Sequence, residues 1–222
     1  MIAIKRSRLA VVTASLSATL ALSACGPAND DIAHSESSTA MYQAYNDSMT
    51  KMHSEMMLGM GYNDPDSAFT QGMLGHHLGA VDMANIQLKY GKDPEMLQLA
   101  QKIIDAQEVE IEQMQNWLNS HPDVAAPMAD TGAMQQAYAT GMNDMHGEMT
   151  LGITDPNPDM AFARGMLPHH RGAVDMAEVQ LEYGKDPEML QLAQEIIAAQ
   201  QSEIEQMQNW IKANGGVESN AQ

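Results

Sequence analysis

Cysteine is nearly missing from this 222-residue chain: Cys25 is the only one. No disulfide can form within it, and soft-metal chemistry cannot rest on a cluster of thiolates. Large aromatics are scarce too, with two Phe and two Trp, so the core must be aliphatic and rich in methionine. Positive charge is the third shortage. Eleven Lys and Arg face 29 Asp and Glu, a formal charge of −18. Such a surface repels nucleic acid and anionic lipid headgroups and attracts cations. No Glu-x-x-His occurs anywhere, which removes the di-iron carboxylate signature. Gly-x-Ser-x-Gly and phosphate-cradling glycine loops are absent as well, and with them two common enzyme classes. No segment alternates like a strand.

Methionine fills the gap. Its 21 copies outnumber the 16 leucines, although leucine is normally among the commonest residues. Residues 41 to 117 also occur twice, the second copy 93 positions on and without a gap. Between Asp64 and Trp117, 41 of 54 positions are identical in the copy. Met73-Leu74-Gly75-His76-His77 returns as Met166-Leu167-Pro168-His169-His170. Thioether and imidazole are neutral ligands for soft and borderline metals, so the duplicated unit is a candidate metal-binding surface.

The N-terminus reads as a targeting segment. Lys5, Arg6 and Arg8 precede an apolar stretch from Leu9 to Leu22 that is short and interrupted by Ser and Thr, unsuited to a stable membrane span. Leu22-Ser23-Ala24-Cys25 resembles the bacterial lipoprotein box. Residues 1–24 are then a lipoprotein signal peptide and Cys25 the lipidation site, with an ordinary signal peptide as the alternative. Removing residues 1–24 would take the charge to −21. Residues 25–38 are polar and aperiodic, and read as a flexible tether.

Each repeat, 39–121 and 132–214, carries three helical signals. The first helix spans about Thr39 to Gly59, with Met41, Tyr45, Met49, Met52, His53, Met56 and Met60 at steps of three and four that share a face. Asp64-Pro65 and Asp93-Pro94 supply N-cap acids followed by Pro at the first helical position, opening helices two and three. Gly91 offers a stop between them. That short connection makes helices two and three an antiparallel hairpin. The fold class is all-α: two tandem three-helix repeats whose hairpins pack as an antiparallel four-helix bundle, the first helices serving as crossovers. Two separate three-helix domains are the alternative.

On helix two, a rise of about 100° per residue groups Met73, His76 and Met83 on one stripe, with His77 at its margin and Asp82 opposite. Helix one adds Met49, Met52, His53 and Met56, and helix three adds Met114, one turn after Glu110. The second copy offers Met142, Met145, His146, Met149, Met166, His169, His170, Met176 and Met207, with Glu203. Methionine stripes usually just fill cores. Histidines buried among them without hydrogen-bond partners are costly, and three per copy favour metal binding. Met57 and Met60 are replaced by Thr150 and Ile153 in the copy and are read as packing or auxiliary groups.

The thioether-rich setting points away from zinc and towards copper: Cu(I) by softness, Cu(II) by imidazole, with Ag(I) as a surrogate for Cu(I). The run His76-His77-x-x-Ala80-Val81-x-Met83-Ala84, followed by Gln107 through Trp117, resembles the domain of unknown function 305 family. His169 to Ala177 and Gln200 through Trp210 repeat it. Gly75 departs from the family pattern, which has the proline seen at Pro168, and a looser helix is expected at the first site. The resemblance implies a ferritin-like helical bundle and, in some members, copper binding outside the cytoplasm. It implies ligand roles for Met73, His76, His77, Met83 and Met114 and their counterparts, whereas the helix-one residues rest on spacing alone.

The expectation is a lipid-anchored copper-binding protein of the periplasm or cell envelope that sequesters or transfers Cu(I), and not an enzyme. Its partners would be metal ions and another envelope copper protein, with no nucleic acid and membrane contact only through the anchor. The rival reading is a structural or adaptor lipoprotein whose Met-rich helices only pack or touch other proteins. A third is a redox enzyme that oxidises Cu(I).

Overall fold

The computed structural model describes residues 28–121 and 126–218, with side chains from residue 36 onward. The leader and Cys25 lie outside the described residues. Six helices follow in order: α1 (Ala28–Met60), α2 (Pro65–Tyr90), α3 (Pro94–Ser120), α4 (Thr131–Gly152), α5 (Pro158–Tyr183) and α6 (Pro187–Ala213). Among the described residues there is no strand.

The cap chemistry works as its residues dictate. Asp64 accepts from the Ser67 amide, Asp93 from those of Glu95 and Met96, and Asn157 and Asp186 do the same in the second repeat. Each cap precedes a proline that loses no helical hydrogen bond at that position. One boundary differs from the sequence reading. The segment 28–38, expected as a tether, is helical and continuous with α1. No Gly or Pro stands between Ala28 and Gly59 to stop it.

Within each half the middle helix is sandwiched, α2 between α1 and α3, α5 between α4 and α6, and α2 packs directly on α5. One apolar core runs through both halves. Glycine sets the closeness of α1 to α2: a Cβ on Gly59 would lie 2.6 Å from the Gly72 nitrogen. Gly75 sits against Glu55 and the Met56 nitrogen in the same way. Far from loosening the helix, Gly75 leaves α2 unbroken and lets α1 close on it; α5 is equally unbroken around Pro168.

The hairpin turns are latched across the repeats. Asp159 Oδ1, at the start of α5, accepts from Gln87 Nε2 (2.6 Å) and from the amides of Lys92 and Asp93 in the α2–α3 turn. Asp66 reciprocates with Gln180 Nε2 (2.6 Å) and the Lys185 amide. Gly91 and Gly184 have negative φ, so they are not left-handed stops. Their missing Cβ instead makes room for the amides of Gln87 and Gln180. On α3 the deepest residues include Leu99 and Trp117, whereas Leu97, Ile111 and Leu118 are only half-buried. Among the described residues, no helix is long and apolar enough to cross a membrane.

Candidate metal centre

The packing of α2 on α5 brings the two His-His pairs to the middle of the molecule. His76, His77, His169 and His170 are completely buried. His77 was expected at the margin of its stripe. It turns instead towards α3, where its Nε2–H donates to the Glu110 carboxylate at 2.6 Å. His170 does the same to Glu203 at 2.7 Å. His169 Nε2–H donates to the main-chain carbonyl of His76 at 3.1 Å.

A carbonyl or carboxylate oxygen only accepts, so Nε2 carries a proton in each of these three imidazoles, and in the neutral ring the lone pair sits on Nδ1. All three Nδ1 atoms are buried without a partner, and both ring nitrogens of His76 are too. Orphaned buried acceptors are rare and costly. A histidine whose far nitrogen is held by carboxylate or carbonyl while the near one is bare has the outer-shell arrangement of a metal ligand. Burial, reinforced by the neighbouring imidazoles His77 and His170, holds His76 well below the ordinary histidine range. Burial and the same kind of neighbours do so for His169. Both rings stay neutral, the form that binds a metal without first losing a proton.

Thioethers surround them. Met73, Met83 and Met114 are wholly buried, as are Met166 and Met207, with Met176 nearly so. Met52 and Met145 lay their sulfurs on Gly79 and Gly172, one helical turn from His76 and His169. Met49 and Met149 are buried in the same core. Met56 and Met60 from α1, Met142 from α4 and Met176 from α5 line one small cavity of about 10 Å³ together with Tyr138. Such a space holds roughly one water-sized particle. Met60 was set aside in the sequence because the second copy has Ile153 there. Its place beside three sulfurs depends on how α1, α4 and α5 come together around the cavity.

One expectation does not hold. His53 and His146 were placed on the inner face of the first helix of each repeat, yet both are exposed. Each stands at the edge of its methionine stripe, where the helix turns away from the core, and the two rings face each other 5.8 Å apart. The rings of His76 and His169 are only 3.7 Å apart. Two imidazoles sharing an ion keep their centroids roughly 5–6 Å apart, given metal–nitrogen bonds of about 2.0 Å. An ion therefore cannot lie between these two rings as they stand. Among the described residues no three His, Cys, Asp or Glu side chains are arranged to hold a metal, so a centre built here must draw on methionine. His121 caps α3 and stacks on Trp117, a local role.

The chain is similar to several known proteins. The family model "Domain of unknown function (DUF305)" matches residues 66–211. CopM in its Cu(I)-bound form is 33% identical, with 68% of this chain and 98% of that one covered at a TM-score of 0.51. A DUF305 protein of Streptomyces coelicolor described as secreted is 25% identical, with 72% and 99% covered and a TM-score of 0.56. A DUF305 fragment from Deinococcus radiodurans is 26% identical, covering 68% and 98%, at a TM-score of 0.52. Uncharacterized protein L153 of Acanthamoeba polyphaga mimivirus is 43% identical over 49 residues, 22% of this chain. The chain spans about a third of that relative's length, 32%.

Proposed function

The chain belongs to the DUF305 family, and on that footing we propose that it is a copper-binding protein of the bacterial cell envelope, sequestering or passing on Cu(I). The observation that carries this is the set of four buried imidazoles with bare Nδ1 atoms packed among buried thioethers. CopM, a relative at 33% identity, has Cu(I)-bound, Ag-bound and Cu(II)-bound forms, which supports a coinage-metal ion as the ligand here. Helices α2, α3, α5 and α6 would form a ferritin-like four-helix bundle, with α1 and α4 bringing the outer methionines. Anchoring through an acylated Cys25, and a carrier role without catalysis, belong to the same proposal.

Loading requires the closely spaced rings of His76 and His169 to part. Flexible methionine side chains around them make that rearrangement cheap. Purified protein titrated with Ag(I) or Cu(I) under reducing, oxygen-free conditions tests the reading. Micromolar or tighter binding is expected, and a His76→Ala, His77→Ala, His169→Ala, His170→Ala variant should stay helical but lose at least tenfold in affinity. Binding no tighter than millimolar in the parent rejects the function. Unchanged binding in the variant transfers the role to the thioethers alone, or to the packing-only adaptor reading, which the complete burial of these methionines also suits.

A further inference from the structure

His53 on α1 and His146 on α4 occupy equivalent positions in the two repeats, 93 residues apart, and both are exposed. Neither imidazole makes a hydrogen bond or ion pair to a side chain or main chain of the described residues; the contact each ring makes is with the other. Helices α1 and α4 approach each other only over a short stretch, where Met56 and Met142 line one cavity and the two imidazoles lie outside it. The rings are tilted by 55° with centroids 5.8 Å apart. With metal–nitrogen bonds of about 2.0 Å, a ring centroid lies roughly 3.2 Å from the ion, and two rings on one ion sit roughly 5–6 Å apart. The observed separation falls in that interval, unlike the 3.7 Å of the buried His76–His169 pair.

We propose that His53 and His146 form a second, solvent-facing metal site that joins the two repeats and takes Cu(II) and similar borderline divalent ions. Imidazole nitrogen suits these ions, and copper leads the divalent affinity order. The remaining positions on the ion are filled by water, since no third His, Cys, Asp or Glu among the described residues converges there. The formal charge of −18 raises the local concentration of any cation that the pair captures. One turn further in on the same helices lie Met56 and Met142, which line the thioether cavity. The surface pair therefore stands directly outside the softest part of the core.

This site does not depend on the buried centre, and the two can fail separately. Cu(II) is titrated into the parent, His53→Ala, His146→Ala and the double variant, with binding read by copper paramagnetic resonance. A parallel Ag(I) titration reports the thioether and imidazole core. The parent should hold one Cu(II) with nitrogen hyperfine structure from two imidazoles. Each single variant should lose that same equivalent, and the double variant should lose nothing more. Ag(I) binding should be retained throughout. Either single variant binding Cu(II) like the parent, or losses that add in the double variant, overturns the shared site. A parent that takes Cu(II) but not Ag(I) upholds this site while removing the proposed Cu(I) function.

Discussion

His169 donates its Nε2–H to the main-chain carbonyl of His76 at 3.1 Å while the two rings, tilted by 43°, lie 3.7 Å apart. The first repeat thus orients an imidazole of the second, and both rings are sealed from water. A stability dependence on pH follows. Burial lowers both histidines below their ordinary range, so the folded form resists protonation more than the unfolded chain does. Above about pH 6.5 the rings are neutral in both states and the contribution is complete. As pH falls through that value, the unfolded chain takes up protons that the fold refuses, and stability drops. Urea midpoints of the metal-free protein should fall between pH 6.5 and 5.5. They should fall less in a His76→Gln, His169→Gln variant. Parallel slopes in the two proteins would refute the assignment.

The reciprocal latches make a second prediction. Asp159 Oδ1 gathers three donors from the other repeat. Asp159→Ala should leave the Gln87 amide and the turn N–H groups short of an acceptor, at about 1–3 kcal/mol. Asp66→Ala should cost a similar amount at the mirror position. Thermal melts of the two single variants and of the pair measure this, and a loss below about 0.5 kcal/mol in both singles would show that water replaces the carboxylates.

Glycine gives a third contrast. Gly59→Ala would drive a Cβ to 2.6 Å from the Gly72 nitrogen, backbone against backbone with no flexible neighbour to yield. A destabilisation of about 2 kcal/mol or more is expected from such overpacking. Gly132→Ala, which meets nothing within 4 Å, should be neutral or stabilise α4 by up to about 1 kcal/mol. Equal melting temperatures for the two variants would contradict the packing of α1 on α2.

Much of this was legible in the sequence, for physical reasons that differ by residue. Asp64-Pro65, Asp93-Pro94, Asn157-Pro158 and Asp186-Pro187 announce their helices because cap chemistry is local. The period of Met41, Tyr45, Met49, Met52 and Met56 identifies the buried face of α1 because side-chain direction repeats with the helix. What the sequence did not disclose is long-range. Asp66 and Asp159 looked like ordinary first-turn acids, and their partners lie in the opposite repeat. His53 satisfied the helical spacing but sits where α1 meets α4 instead of α2, so spacing alone placed it on the wrong side of the surface. His77 lay at the edge of the wheel, and only the position of α3 shows that this edge is buried.

Met60 tests the thioether cavity on its own. Ile153 occupies the equivalent place in the second repeat, fully buried, so Met60→Ile should fold with little change in stability, under about 1.5 kcal/mol. It removes one of four sulfurs around the cavity. Isothermal titration with Ag(I) should register weaker binding by about tenfold, on the softness argument for thioether ligands. Identical isotherms would reduce Met60 to a filler of the core.

The central claim is that imidazole and thioether groups from both repeats bind a monovalent copper ion together. X-ray absorption at the copper edge of the Cu(I)-loaded protein addresses it most directly, because the first coordination shell separates sulfur from nitrogen. The account predicts a shell containing both, with two to four ligands in total. A shell of oxygen and nitrogen alone, or copper that washes away before the spectrum can be taken, would contradict it.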